Sequence, residues 1–239
     1  MAVRFLEKVQ APLTALLRFL TRKTTPVLFN DLARLQPVST VFGLDRGTPV
    51  DRYYIERFLA ERADLIRGRV LEIGDSHYSR RFGGCQVETC EVLHAVAGNP
   101  AATLVGDLTD PSTLPEGVMD CFICTQTLNC IFDLQRAVAG AGQLLKPGGT
   151  LLVTVSGISQ VSRYDMERWG DYWRFTGASL ERLLQPVFGE NVEVTSYGNL
   201  PAALAFLQGL AVEDLPDAAL LDAVDADYPL VVCALARKA

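Results

Sequence analysis

The chain predicts an α/β fold, a parallel sheet covered by helices on both faces, and three features predict it. Apolar runs of strand length alternate with helical patterns from residue 70 onward. One run, Gly68-Arg69-Val70-Leu71-Glu72-Ile73-Gly74-Asp75, ends in an acid, one more apolar residue and a glycine. That is the pattern of a buried strand breaking into a tight turn. Another, at 150–155, follows a Lys146-Pro147-Gly148-Gly149 turn that closes a helical pattern. With 239 residues, 49% of them hydrophobic, the chain can fill the core of one large domain.

The N-terminal segment has its own pattern. Phe5, Leu6, Val9, Leu13, Leu16, Leu17 and Leu20 recur at helical spacing beside Arg4, Lys8, Arg18, Arg22 and Lys23, with Pro12 as a kink or break. Residues 1–47 thus read as a basic, helical N-terminal extension. It packs on the body, on a second copy as a homodimer contact, or on an anionic membrane surface. Thr48-Pro49-Val50-Asp51 is a helix-start signal, with Asp51 at the capping-box position, and predicts a helix over 50–63. The body, 48–239, then reads as strands at 70–73, 86–91, 103–105, 121–124, 150–155, 192–197 and 230–236. Helical patterns lie between most of them, at 79–82, 131–145, 179–188 and 201–210. The link from 91 to 103 is too short for a full crossover helix. The acid-rich stretch 213–227 reads as a solvated linker with one short helix rather than a metal site.

Composition narrows the function. The net charge of -6 offers no basic field for a nucleic-acid backbone. No apolar stretch approaches the roughly 20 residues that cross a bilayer. Glu7, Lys8 and Arg18 interrupt the first 20 residues, so no secretory leader is read and the expected location is cytoplasmic. Cys121 and Cys124 have zinc-like spacing, yet they lie in an apolar strand without a second pair, and read as buried thiols.

The turn after 70–73 leads into the start of the next helix, whose amide end can hold a ligand. About twenty residues beyond Glu72, a nucleoside-binding unit places an acid against the ribose diol. Glu91 falls at that spacing, with Glu88 and His94 as rivals. Gly106-Asp107-Leu108-Thr109 and Asp120-Cys121-Phe122-Ile123-Cys124-Thr125-Gln126-Thr127 carry the ends of the third and fourth strands.

Taken in order, these motifs make the chain resemble the class I (seven-strand, Rossmann-like) S-adenosylmethionine-dependent methyltransferases, type 11-like, over about residues 50–236. The resemblance implies a doubly wound, mostly parallel seven-stranded sheet. The implied methyl donor is S-adenosyl-L-methionine, which leaves S-adenosyl-L-homocysteine as product. It implies donor contacts at Glu72, Gly74, Asp75 and Ser76 in the first turn, ribose at Glu91, and adenine at Asp107 and Leu108. Thr125 and Gln126 are implied neutral acceptors near the sulfonium, while Thr127 reads equally as a helix cap. The chain departs from the family at Ser76 and Tyr78, where glycines are usual.

The segment after the fifth strand, 156–176, holds both tryptophans and three arginines. It emerges at the carboxyl end of the sheet, where such folds bind ligands. It is read as the site of a small-molecule or sugar-like acceptor, with Tyr164, Trp173 and Arg174 as contacts, or else as a lid held by its own ion pairs. Thr176 suits an N-cap. His77, Tyr164 and Asp165 are the candidate bases. The expected activity is methyl transfer to a small molecule or natural product, most often at oxygen in this family. A catalytically silent methyltransferase-like subunit and a nicotinamide-dependent oxidoreductase are the alternatives, and the missing Gly-x-Gly-x-x-Gly argues against the second.

Overall fold

Seven strands form one sheet in the order β3-β2-β1-β4-β5-β7-β6. The computed structural model describes residues 34–239, so the N-terminal helix expected within 1–47 lies outside the described residues. The strands are β1 (Gly68–Ile73), β2 (Val87–His94), β3 (Leu104–Val105), β4 (Met119–Thr125), β5 (Leu145–Ser156), β6 (Val192–Tyr197) and β7 (Val231–Arg237). Pairings from β3 through β5 are parallel, whereas β7 runs antiparallel to both β5 and β6.

Period-two alternation sends each strand's side chains to two cores. In β4, Phe122 and Cys124 join one core while Cys121 and Ile123 join the other. The first is covered by α2 (Leu134–Leu144) and α4 (Gly177–Phe188), which bury Ala137, Ala141, Leu180 and Leu184. The second is covered by α1 (Val50–Ala60) and α5 (Leu200–Leu207), through Tyr54, Phe58, Ala202 and Phe206. Each fully buried Leu or Phe contributes about 1.5–3 kcal/mol. The apolar centre of β4, Cys121-Phe122-Ile123-Cys124, is therefore what a strand covered on both sides requires. Cys121 and Cys124 are buried there, and burial pushes both thiols up to about 12.

Local chemistry explains the boundaries. Asp133 caps α2 by accepting from the Arg136 amide, so that helix starts three residues later than the apolar pattern suggests. Thr176 caps α4 in a reciprocal box with Ser179. Gly148 takes φ +77 in the irregular first residues of β5, which also start five residues before the predicted strand, and Lys146 there reaches Asp120 at 2.7 Å. Between β2 and β3 there is no helix, only turns.

Two expectations need correction. Residues 37–47, assigned to a helical extension, are a run of turns tied to the body, the Val38 and Ser39 amides both donating to the Gln208 carbonyl. The acids of 213–227 do more than meet solvent. Glu213 accepts from the amide and hydroxyl of Thr48, Asp214 takes a bidentate Arg46, and Asp222 accepts from Tyr53 and Arg57. The segment itself forms two short 3₁₀ turns, Val212–Asp214 and Ala218–Leu221. No helix among the described residues is long and apolar enough to cross a membrane.

Candidate active site

The strand order turns back between β1 and β4, so loops diverge there and leave a crevice beyond the carboxyl ends. A cavity of about 590 Å³ occupies it, bordered by the ends of β1 to β4. A second cavity, of about 610 Å³, lies between the 40–44 turns, the start of α1 and the segment after β5. Both volumes suit small-molecule sites.

At the end of β1, Glu72 borders neither cavity. It is buried and accepts from the amides of Tyr78 and Ser79 and from the Ser79 hydroxyl. Burial pushes its carboxyl above the usual carboxylate range, opposed by those bonds. The amide end expected to hold a ligand is thus occupied by Glu72, and the helix expected at 79–82 is a short π-helix, Ser79–Gly83. The Asp75 carboxylate accepts from the His77 amide and the Ser76 hydroxyl from Arg80. Neither Asp75, Ser76 nor His77 borders either cavity, and His77 is an exposed residue at the start of the helical segment, its ring meeting Tyr78 edge-on. Gly74 does border the first cavity. It holds φ +80, and a Cβ there would meet nothing within 4 Å, so the backbone is bare toward the open space.

The end of β2 departs furthest from expectation. The strand runs on to His94 because Val92 and Leu93 are buried, which leaves Glu91 inside it and away from the cavity. Glu91 accepts from the Thr103 hydroxyl and from Arg69 at 2.7 Å, and these bonds hold its carboxyl below the usual range. His94 stands at the cavity instead, its ring edge-on to Trp169 at 5.4 Å. Its Nδ1 lies 2.7 Å from the Val96 carbonyl and 3.4 Å from the Val96 amide, and the shorter contact favours a neutral ring with the proton on Nδ1 and the lone pair on Nε2. Glu88, the other rival, borders neither cavity. After β3, Asp107 and the buried Leu108 border the cavity, with Asp107 shaped by bonds from the amide and hydroxyl of Thr109.

Past β4 the chain makes a sharp turn. Gln126 takes φ +47, a left-handed conformation rare for a side-chain-bearing residue, and its amide donates to the Thr154 carbonyl at 2.8 Å. Its Oε1 accepts from the Ser156 hydroxyl at 2.7 Å and from the Asn129 amide group at 3.3 Å. Thr125, the last residue of β4, lies outside both cavities, while Thr127 borders the first. Asn129, unassigned from the sequence, ties the parts together. Its carbonyl accepts from the amides of Tyr172 and Trp173, and its Oδ1 from that of Ser156. An Asn that directly follows Thr127-Leu128 carries no sequence signal of that role. Cys130, equally silent in the sequence, borders both cavities with its thiol pushed up to about 12 by burial, so it stays protonated.

The segment after β5 divides between the two cavities. Tyr164, on the short helix α3 (Arg163–Met166), is exposed under the Arg168 guanidinium and borders the second cavity. Asp165 borders both. Arg174 borders the second but is paired bidentately with Asp171, which it holds below the usual carboxylate range against the opposing effect of burial. Trp173, expected at the acceptor, borders neither cavity. It packs against the core, and its ring nitrogen donates to the Ile131 carbonyl at 3.1 Å. The aromatic residues of this segment at the first cavity are Trp169 and Tyr172, so it closes over that cavity as well as bordering the second.

Residues 82–153 match the methyltransferase-domain family. No curated protein matches the chain. Among solved structures, the chain is similar to an S-adenosylmethionine-dependent methyltransferase from Mesorhizobium loti. That pair has a TM-score of 0.51 at 15% identity, covering 82% of this chain and 100% of the other. It is similar to the N-methyltransferase NodS of Bradyrhizobium japonicum in complex with S-adenosyl-L-homocysteine, with a TM-score of 0.50 at 14% identity, covering 88% and 97%. It is also similar to the [4+2]-cyclase SpnF, with a TM-score of 0.51 at 18% identity, covering 81% and 83%. The chain therefore has the class I methyltransferase fold, and its central segment is similar to the type 11 methyltransferase domain.

Proposed function

We propose that the chain is an S-adenosylmethionine-dependent methyltransferase in which the first cavity takes the donor and the second a small-molecule acceptor. The observation that carries this reading is the wall between them, since Gln126, Cys130 and Asp165 border both cavities. Methyl transfer is an in-line displacement, so two ligands must meet through one gap, positioned and shielded from water.

Adenine would lie against Leu108 with its amine toward Asp107, and the ribose diol would donate to His94 Nε2 in place of the expected acid. The bare backbone at Gly74 suits close approach of the methionine part. The donor supplies a methyl already activated by its sulfonium, and Gln126 holds neutral dipoles beside the gap. Oxygen is the proposed acceptor atom.

Calorimetric titration with S-adenosylhomocysteine tests the donor half. His94→Ala is expected to weaken binding about tenfold, as leaving a ligand hydroxyl unpaired costs about 1–3 kcal/mol. Glu91→Ala should leave it within about twofold. The reverse order would return the ribose to Glu91, and tight binding of NAD instead would point to an oxidoreductase.

A further inference from the structure

Asp51 stands where the sequence places a helix cap, yet it caps nothing. Pro49 occupies the N-cap position of α1, no side chain caps the helix, and Thr48 is committed to Glu213. Asp51 borders the second cavity, and its Oδ1 is fully buried with no protein group donating to it. Such an oxygen is destabilising in the folded chain, and a ligand that brings a donor removes the deficit. Burial also holds the Asp51 carboxyl above the usual carboxylate range, against the opposing charge of Arg52 and the backbone amides of residues 51 and 52. That makes it a stronger proton acceptor than an ordinary carboxylate.

We infer that Asp51 receives the hydroxyl hydrogen of the acceptor, and that this acceptor is a phenol-like compound with an apolar body. The inference rests on the methyltransferase reading and names its substrate class. Phe42, Leu44 and Phe206 supply an apolar side to the same cavity. Its other charged residues are Arg52, Arg163, Asp165, Asp171 and Arg174. Arg174 is neutralised by Asp171 and Arg52 donates to the Tyr78 hydroxyl, so Asp51 is left to the ligand. A cationic amine would meet arginines beside Asp51, whereas a neutral hydroxyl is not repelled. In the transfer, the acceptor oxygen forms a bond to the sulfonium methyl, and the carbon–sulfur bond breaks with its electron pair staying on sulfur. The hydroxyl proton passes to the Asp51 carboxylate, which later releases it to water. A phenol, with a pKa near about 10, yields its proton to a carboxylate during transfer more readily than an aliphatic alcohol.

The test uses wild type, Asp51→Asn and Asp51→Leu, with 4-ethylphenol and its methyl ether 4-ethylanisole as probes. Binding is read by saturation-transfer NMR with and without S-adenosylhomocysteine. In wild type the phenol should bind about tenfold tighter than the ether. Asp51→Leu should erase that preference without lowering the melting temperature, since it removes an unpaired carboxylate. Asp51→Asn should keep the preference, yet transfer labelled methyl to the phenol at least about 100-fold more slowly. A preference that survives in Asp51→Leu, or no preference in wild type, overturns the role of Asp51. Failure of both probes to bind wild type overturns the substrate class. A loss of melting temperature in Asp51→Leu returns the residue to a structural role. If S-adenosylhomocysteine itself fails to bind, the donor reading falls, while the probe comparison without it still decides Asp51.

Discussion

Gly74→Val is expected to abolish S-adenosylhomocysteine binding, by at least about 100-fold, in a protein that still folds. Two effects act in the same direction. A β-branched residue at φ +80 is strained, at a cost of about 1–2 kcal/mol for the left-handed conformation. Its Cβ also points into open space at the cavity, so the rest of the side chain takes volume that the donor needs. Ser76→Gly should be tolerated, because that hydroxyl serves only Arg80 and borders no cavity. Calorimetry paired with a thermal melt separates the effects, and normal affinity in Gly74→Val would remove the site from this turn.

Trp173→Ala should cost about 2–4 kcal/mol of stability, somewhat below the usual cost of a fully buried aromatic because the residue is half-buried. For a chain of this size that lowers the melting temperature by roughly 4–16 °C. Donor affinity should fall with it. Trp169 and Tyr172 at the donor cavity belong to the same segment, and Asn129 holds both the Tyr172 and Trp173 amides. A residue that merely touched the acceptor would leave donor affinity within about twofold. Calorimetry and a melt on one sample decide between these roles.

The sheet was legible because burial on both faces writes long apolar strands and turn residues write their ends. β6 falls at the predicted residues, and β7 is displaced by one. Glu91 was misplaced for a related reason: a charged residue looked like a strand end, while Val92 and Leu93 carried β2 on to His94. Spacing alone could not separate them. Glu72 was assigned to a ligand because an acid at a strand end looks the same whether it meets a ligand or its own backbone. Trp173 was assigned to the acceptor because aromatic clustering does not say which ring turns inward. Asp51 was hidden by a good capping pattern, and only its burial beside a cavity separates it from a cap.

The most direct test of the two-cavity account is a crystal structure of the protein with S-adenosylhomocysteine. The account predicts adenine against Leu108, the ribose hydroxyls at His94, and the sulfur facing the Gln126, Cys130 and Asp165 wall, with the second cavity left clear for the acceptor. Adenosine lying in the second cavity, or a ribose held by Glu91, would contradict it.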